Sequence, residues 1–165
     1  MSVIILDLDN TIANDGWRIP RVNWQKTNPM ERYHDYHMLA AFDEAGNKDL
    51  FLNTEHEIVI LTARPVLYAP ATIEWIGRQG IKPLAVIMRN NDDHCHSKDL
   101  KRKQLGWLLS LYGVQQEAIV GCYDDRPDVV AMYQEHGLHA EVRYIHNVCA
   151  YTVPQNSHPS PEQIQ

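Results

Sequence analysis

Cysteine is scarce in this chain, and what there is does not pair. Cys95, Cys122 and Cys149 are odd in number, widely spaced and without a CxxC, which argues against a disulfide framework and against a thiolate zinc site. A reducing cytosol is the compartment this usage predicts. Long apolar runs are missing as well, since no stretch approaches the roughly 20 residues that a membrane helix requires. The short run Val3 to Leu6 is cut by Asp7 and has no basic segment before it, so it does not read as a signal peptide. Nor is there an excess of positive charge. Fifteen basic residues stand against 21 acidic ones, which excludes a nonspecific grip on long nucleic acid through many phosphate contacts. No GxxxxGK[ST] loop occurs, so nothing suggests a kinase phosphate cradle.

Apolar residues are not lacking. At 44% of 165 residues they suffice for one compact domain without staples. They fall into short, β-favouring runs of the kind buried on both faces of a sheet: Val3 to Leu8, Ile58 to Leu61, Leu84 to Met88, Ala118 to Tyr123, and a fifth over Leu138 to Ile145. Helical patterns lie between them, around Glu31 to Ala45, over Ala71 to Gln79 with Gly80 as a stop, from Ser97 as N-cap to Gly113, and from Pro127 to Gly137. The alternation predicts an α/β fold, a doubly wound parallel sheet with helices on both faces and a small or minimal cap. The domain is expected to span 1–151. Residues 12–54 are too long for an ordinary connection and read as a loop or lid with a helix; from 152 onward a Pro-, Ser- and Gln-rich stretch reads as a mobile tail.

In such folds ligands sit beyond the carboxyl ends of the strands. Asp7 and Asp9 end the first run and Asp124 and Asp125 the fourth, so four acids are expected in one pocket. Two carboxylates held close repel unless a cation lies between them or one takes a proton. The first remedy suggests a hard divalent cation with oxygen ligands, the second a general acid. The cations Lys98, Lys101, Arg102 and Lys103 fit either a solvated helix face or contact with an anionic substrate. His94, Cys95 and His96, with His34 and His37, offer a weaker zinc alternative, because neighbouring histidines cannot easily face one metal. Trp17, Trp24 and Tyr36 could stack on a base or pack the lid.

Asp7-Leu-Asp-Asn-Thr11 resembles the DxDxT signature of the haloacid dehalogenase superfamily, with Thr62 in the place of its second motif and Asp124-Asp125 in that of its acidic fourth motif. Within that superfamily, Thr62-Ala-Arg64, the stretch near Arg89, and Asp124-Asp-Arg126 before a Val-x-Met-Tyr helix are similar to the 3′-phosphatase domain of phage polynucleotide kinase. The resemblance implies an Mg2+-dependent phosphatase. Asp7 would be the nucleophile that forms an aspartyl-phosphate, and Asp9 the acid and then the base, its carboxyl raised by surrounding like charge. Asp7, the Asp9 main-chain carbonyl, Asp124 and Asp125 would hold the metal. Thr62 and a lysine would cradle the phosphoryl group, with Lys98, Lys101, Lys103 and Arg102 competing for the latter place and Lys101 favoured by its position one turn before Leu105. Arg64, Arg89 and Arg126 would bind substrate. That substrate would be a polynucleotide 3′-phosphate end or, alternatively, a nucleoside monophosphate, with no membrane and no obligate protein partner. A phosphoacceptor signalling module is the rival of another class; such modules lack a second carboxylate two residues after the nucleophile.

Overall fold

The computed structural model describes residues 1–146. The tail expected from residue 152 and the third cysteine, Cys149, lie outside them. Five parallel strands form the central sheet: β1 (Val3–Leu6), β4 (Glu57–Pro65), β5 (Ala85–Arg89), β6 (Ile119–Asp124) and β7 (Ala140–Val142), in the order β5-β4-β1-β6-β7. The short strands β2 (Ala13–Asn14) and β3 (Glu44–Ala45) make a separate antiparallel pair. Helices are α1 (Pro29–Arg32), α2 (His34–Met38), α3 (Ala69–Arg78), α4 (Ser97–Ser110) and α5 (Pro127–Glu135). The doubly wound α/β expectation therefore holds.

Alternation along the strands divides the core. Val3, Ile5, Val59, Leu61 and Ile87 face α4 and α5 through Leu105, Leu108, Val129 and Met132, whereas Ile4, Leu6, Ile58 and Ile60 face α3 through Trp75 and Ile76. Residues one apart on a strand point to opposite faces, so only a sheet covered on both sides accepts such continuous apolar runs. Gly80, Gly113 and Gly137 follow α3, α4 and α5 with φ of 74°, 69° and 79°, the left-handed region a helix stop needs. The N-cap of α4 is His96 rather than Ser97, which is its first helical residue.

The insert departs from expectation. The single helix predicted over Glu31 to Ala45 is broken into α1, α2 and a 3-10 turn (Ala40–Phe42), after which Asp43 is extended (φ −63°, ψ 141°). Tertiary bonds override the helical spacing: Trp75 Nε1 donates to the Asp43 carbonyl at 2.8 Å, and Glu44–Ala45 pairs with Ala13–Asn14. The stretch after β2 folds as a 3-10 helix (Gly16–Arg21) whose Ile19, with Val22, packs on Tyr36.

Candidate active site

Register delivers the acids to one place. Leu6 pairs with Ile60 on one side of β1 and with Tyr123 on the other, so the next residue, Asp7, emerges at the carboxyl edge beside Asp124. The Asp7 N–H still donates to the Tyr123 carbonyl at 3.0 Å. Carboxylate oxygens of Asp7, Asp124 and Asp125, all buried, lie within 4.8 Å of one another. Helix α4 turns Lys101 inward along with Leu100, Gln104 and Leu105, while Arg102 and Lys103 point to solvent and pair with Asp99 and Asp93. Of the four competing cations Lys101 was favoured by its place one turn before Leu105, and packing brings it to the acids. Its Nζ lies 2.7 Å from Asp7 Oδ1 and 3.2 Å from Asp124 Oδ2, and it also donates to the Leu61 carbonyl. Thr11 Oγ1 donates to the other Asp7 oxygen at 3.1 Å.

Burial pushes the Asp7 carboxyl up to about 7, against the pull of Lys101 and with Asp124 adding to the rise. Asp125 is likewise pushed well above the carboxylate range by burial, then by Asp124 and Asp7. With all three acids ionised, one ammonium leaves two negative charges unmatched. Three hard oxygen donors with that deficit suit a divalent cation such as Mg2+, so the residues present fit the metal.

Asp9 belongs to a different cluster. Arg64 holds it through Nη2 (2.7 Å) and Nε (3.1 Å), and Arg18 through Nη2 (2.6 Å). Both arginines also reach Asp43, Arg18 at 2.7 Å and Arg64 at 3.4 Å. Arg18 further donates to the Tyr36 carbonyl and lies 4.2 Å over the Tyr36 ring. The expectation that like charges raise Asp9 fails here. Burial pushes its carboxyl upward, but Arg64 and Arg18 together pull it well below the usual carboxylate range. The raised carboxyl of Asp7 and the depressed one of Asp9, two residues away, are set apart by which cations each one meets. The Asp9 side chain is thus turned toward the arginines; the metal contact that the family resemblance implies is with its main-chain carbonyl.

The remaining residues anticipated from sequence are placed as follows. Thr62 is buried, its hydroxyl accepting the Arg64 N–H at 3.2 Å. Arg64 has no exposed surface and touches Asp9, Asp43 and Thr72. Arg89 donates to the carbonyls of Ala63, Asp93 and Cys95, bracing the end of β4 against the loop after β5. Arg126 grips Asp128 with two nitrogens, at 3.1 and 2.9 Å. Among the described residues no histidine or cysteine joins a metal-holding group; His34 bonds Tyr68 and His37 is buried against it. Of the aromatic residues in the insert, Tyr36 is buried, Trp24 packs on Tyr33, and Trp17 is exposed with its indole N–H on Asp43. Arg18, Asp43 and Asn10 were not anticipated at all.

This sheet topology recurs in solved structures. A chain of the Pnkp1/Rnl/Hen1 RNA repair complex superposes with a TM-score of 0.61 at 20% identity, over 86% of this chain and 42% of that one. A hydrolase of the haloacid dehalogenase-like family from Streptococcus pneumoniae superposes at 0.57 with 12% identity, over 85% and 83%. The fold is that of the haloacid dehalogenase-like hydrolases. The strand order β5-β4-β1-β6-β7 puts the first strand at the centre, and the acids that follow it emerge at its carboxyl edge. No protein-family model matches the chain. A protein of Autographa californica nuclear polyhedrosis virus, provisionally named a bifunctional polynucleotide kinase/RNA ligase, is 29% identical over 153 residues. The match takes in 88% of this chain and 19% of the viral protein, so the chain spans about a fifth of that relative's length. Among the described residues no helix is long and apolar enough to cross a membrane.

Proposed function

We propose that this chain is a phosphomonoesterase that works through an aspartyl-phosphate on Asp7 with Mg2+, and that its substrates are polynucleotide 3′-phosphate ends. The single observation that carries the reading is Asp7 itself. A buried carboxylate at the end of the central strand is oriented by Thr11 and Lys101 and flanked by Asp124 and Asp125.

One Asp7 oxygen forms a bond to phosphorus as the bond to the leaving oxygen breaks, dividing a hard displacement into two easier ones. Lys101, already on Asp7 and Asp124, meets the charge that accumulates on the phosphoryl oxygens. Thr62 accepts its hydrogen bond from Arg64 and keeps its own proton for a phosphoryl oxygen. Asp7, Asp124 and Asp125 would hold Mg2+, which when bound would supply charge neutralisation for the anionic substrate.

Asp9 gives a proton to the leaving sugar oxygen and later takes one from the water that hydrolyses the phospho-aspartate. Arg18 and Arg64 fix its direction and favour the ionised form required in the second half. The negative charge that the substrate brings beside it opposes the arginines and favours the protonated form needed in the first.

The choice of substrate rests on the company of the fold: a viral relative named for polynucleotide kinase and RNA ligase, and a structural neighbour from an RNA repair complex. The net charge of −6 suits a short or terminal target over a long duplex. Phosphate release would be measured on 3′-phosphorylated oligonucleotides, 5′-phosphorylated oligonucleotides and mononucleotides, each with and without Mg2+. Preference for the 3′ ends, lost without the metal, is expected; faster turnover of mononucleotides would overturn the substrate assignment and leave the chemistry standing.

A further inference from the structure

Asn10 follows Asp9 with φ of 63°, a conformation asparagine tolerates better than most side chains. It is 1% exposed, and every group it owns is engaged. Its main-chain N–H donates to Ala13 at 2.8 Å and its carbonyl accepts from Ile145 at 2.9 Å. The side-chain Oδ1 accepts the His146 N–H at 2.9 Å and the Ile145 N–H at 3.3 Å. The Nδ2 donates to the His146 carbonyl at 3.0 Å and to Asp125 Oδ2 at 3.1 Å.

That pattern leaves the carboxamide one orientation. Two main-chain donors face the oxygen, and an acceptor pair faces the nitrogen, so a flipped amide would set donors against donors. The chain leaving β7 therefore dictates which way Asn10 points, and Asn10 presents a fixed donor to Asp125. The same segment reaches the other cluster: His146 Nε2 lies 2.7 Å from Asp15 Oδ1, whose second oxygen accepts from the Tyr36 hydroxyl at 2.7 Å, and Tyr36 lies beneath Arg18.

We infer that Asn10 is a positioning residue for Asp125, locked by the main chain of Ile145 and His146, so that this exit segment is part of the apparatus that holds the divalent cation. The inference rests on the reading of Asp7, Asp124 and Asp125 as metal ligands. Groups that orient a metal ligand from outside are worth roughly 10- to 100-fold in affinity.

The test uses Mn2+, a hard divalent cation with oxygen preference, counting free ion by electron paramagnetic resonance in titrations of the full chain. Glycine adopts the backbone of position 10 freely, so Asn10→Gly removes the carboxamide and leaves the turn. Its Mn2+ affinity is expected to fall roughly 10-fold or more. A variant that melts at lower temperature yet binds Mn2+ within about twofold of wild type would make Asn10 a structural latch and overturn the inference. Absence of Mn2+ binding by the wild-type chain would overturn the metal reading and this inference together. Should Asn10→Gly not fold, the side-chain amide resonances of Asn10 in the wild-type protein decide instead. They are expected to shift on Mg2+ addition, and resonances that stay fixed through saturation would overturn the inference.

Discussion

Arg18 Nη2 stands 2.6 Å from Asp9 Oδ1 while Arg18 Nε stands 2.7 Å from Asp43 Oδ1, so one guanidinium ties the loop after the central strand to the far end of the insert. A planar fork with several fixed donors is what this joint uses, since the same group also reaches the Tyr36 carbonyl. A lysine at position 18 carries the charge but cannot span three acceptors. Arg18→Lys is therefore expected to lower turnover about 100-fold, the scale of a small misplacement at the reacting centre. Arg18→Ala leaves Asp43 buried without its main partner and is expected to cost about 3–5 kcal/mol of stability. Steady-state kinetics and denaturant melts check the two effects separately. Turnover of Arg18→Lys within threefold of wild type would mean that Asp9 needs no such brace.

The raised carboxyl of Asp7 links folding to pH and to metal. Its ordinary value is 3.8 and its folded value about 7, so between these the native state holds a proton that the unfolded chain has lost. Stability from this group accordingly falls as pH rises through that window. A divalent cation takes the proton's place on the trio, and binding competes with protonation below about pH 7. Mg2+ is expected to raise the melting temperature more at pH 8 than at pH 5.5, approaching about 2.7 kcal/mol at a hundredfold excess over Kd. A metal-induced shift of equal size at both pH values would detach Asp7 from the metal.

The sheet and its acids were open to reading from sequence because both depend on local rules. A strand buried on both faces must be apolar throughout, and the apolar runs of β1, β4, β5 and β6 announce themselves that way, leading into Asp7, Thr62, Arg89 and Asp124. Among Lys98, Lys101, Arg102 and Lys103 the position one turn before Leu105 favoured Lys101, and it is the packing of α4, a tertiary fact, that brings that residue to the acids. Arg18 and Asp43 are single polar residues in a stretch without period, 25 positions apart, and Asn10 meets a segment 136 positions away. No spacing rule joins such partners. The helical period over Glu31 to Ala45 even misleads, since Asp43 has to leave the helix to meet Arg18.

His37 supplies a second pH effect, of opposite sign. Burial drives its imidazole down to about 3 from the ordinary 6.5; Asp9 opposes that fall, and Arg18, Arg64 and Arg89 reinforce it. The ring is stacked on Tyr68 at 4.9 Å and stays neutral when folded. Between pH 6.5 and 3 the unfolded chain binds a proton that the native state refuses, so stability declines as pH falls, by up to about 1.4 kcal/mol per pH unit from this residue. His37→Gln should flatten the acid limb of a stability profile measured by urea melts. An acid limb of undiminished slope in the variant would assign the sensitivity to other groups.

On the proposed reading Asp9 is what separates this chain from a phosphoacceptor module, and the chemistry proposed for it can be divided by leaving group. A sugar hydroxyl departs poorly without a proton, whereas p-nitrophenolate departs unaided. In Asp9→Asn the amide still faces Arg18 and Arg64 but shuttles no proton. Turnover of a 3′-phosphorylated oligonucleotide is expected to fall about 100- to 10,000-fold. With p-nitrophenyl phosphate the first step survives and the second fails, because water attack on the phospho-aspartate has lost its base. A burst of one nitrophenolate per enzyme is expected, followed by slow turnover, with the phosphate trapped on Asp7 and visible by intact mass. Loss of the burst along with oligonucleotide turnover would show that Asp9 supports the attack of Asp7 itself. The arginine pair would then serve to keep a structural carboxylate ionised rather than to aim an acid and base.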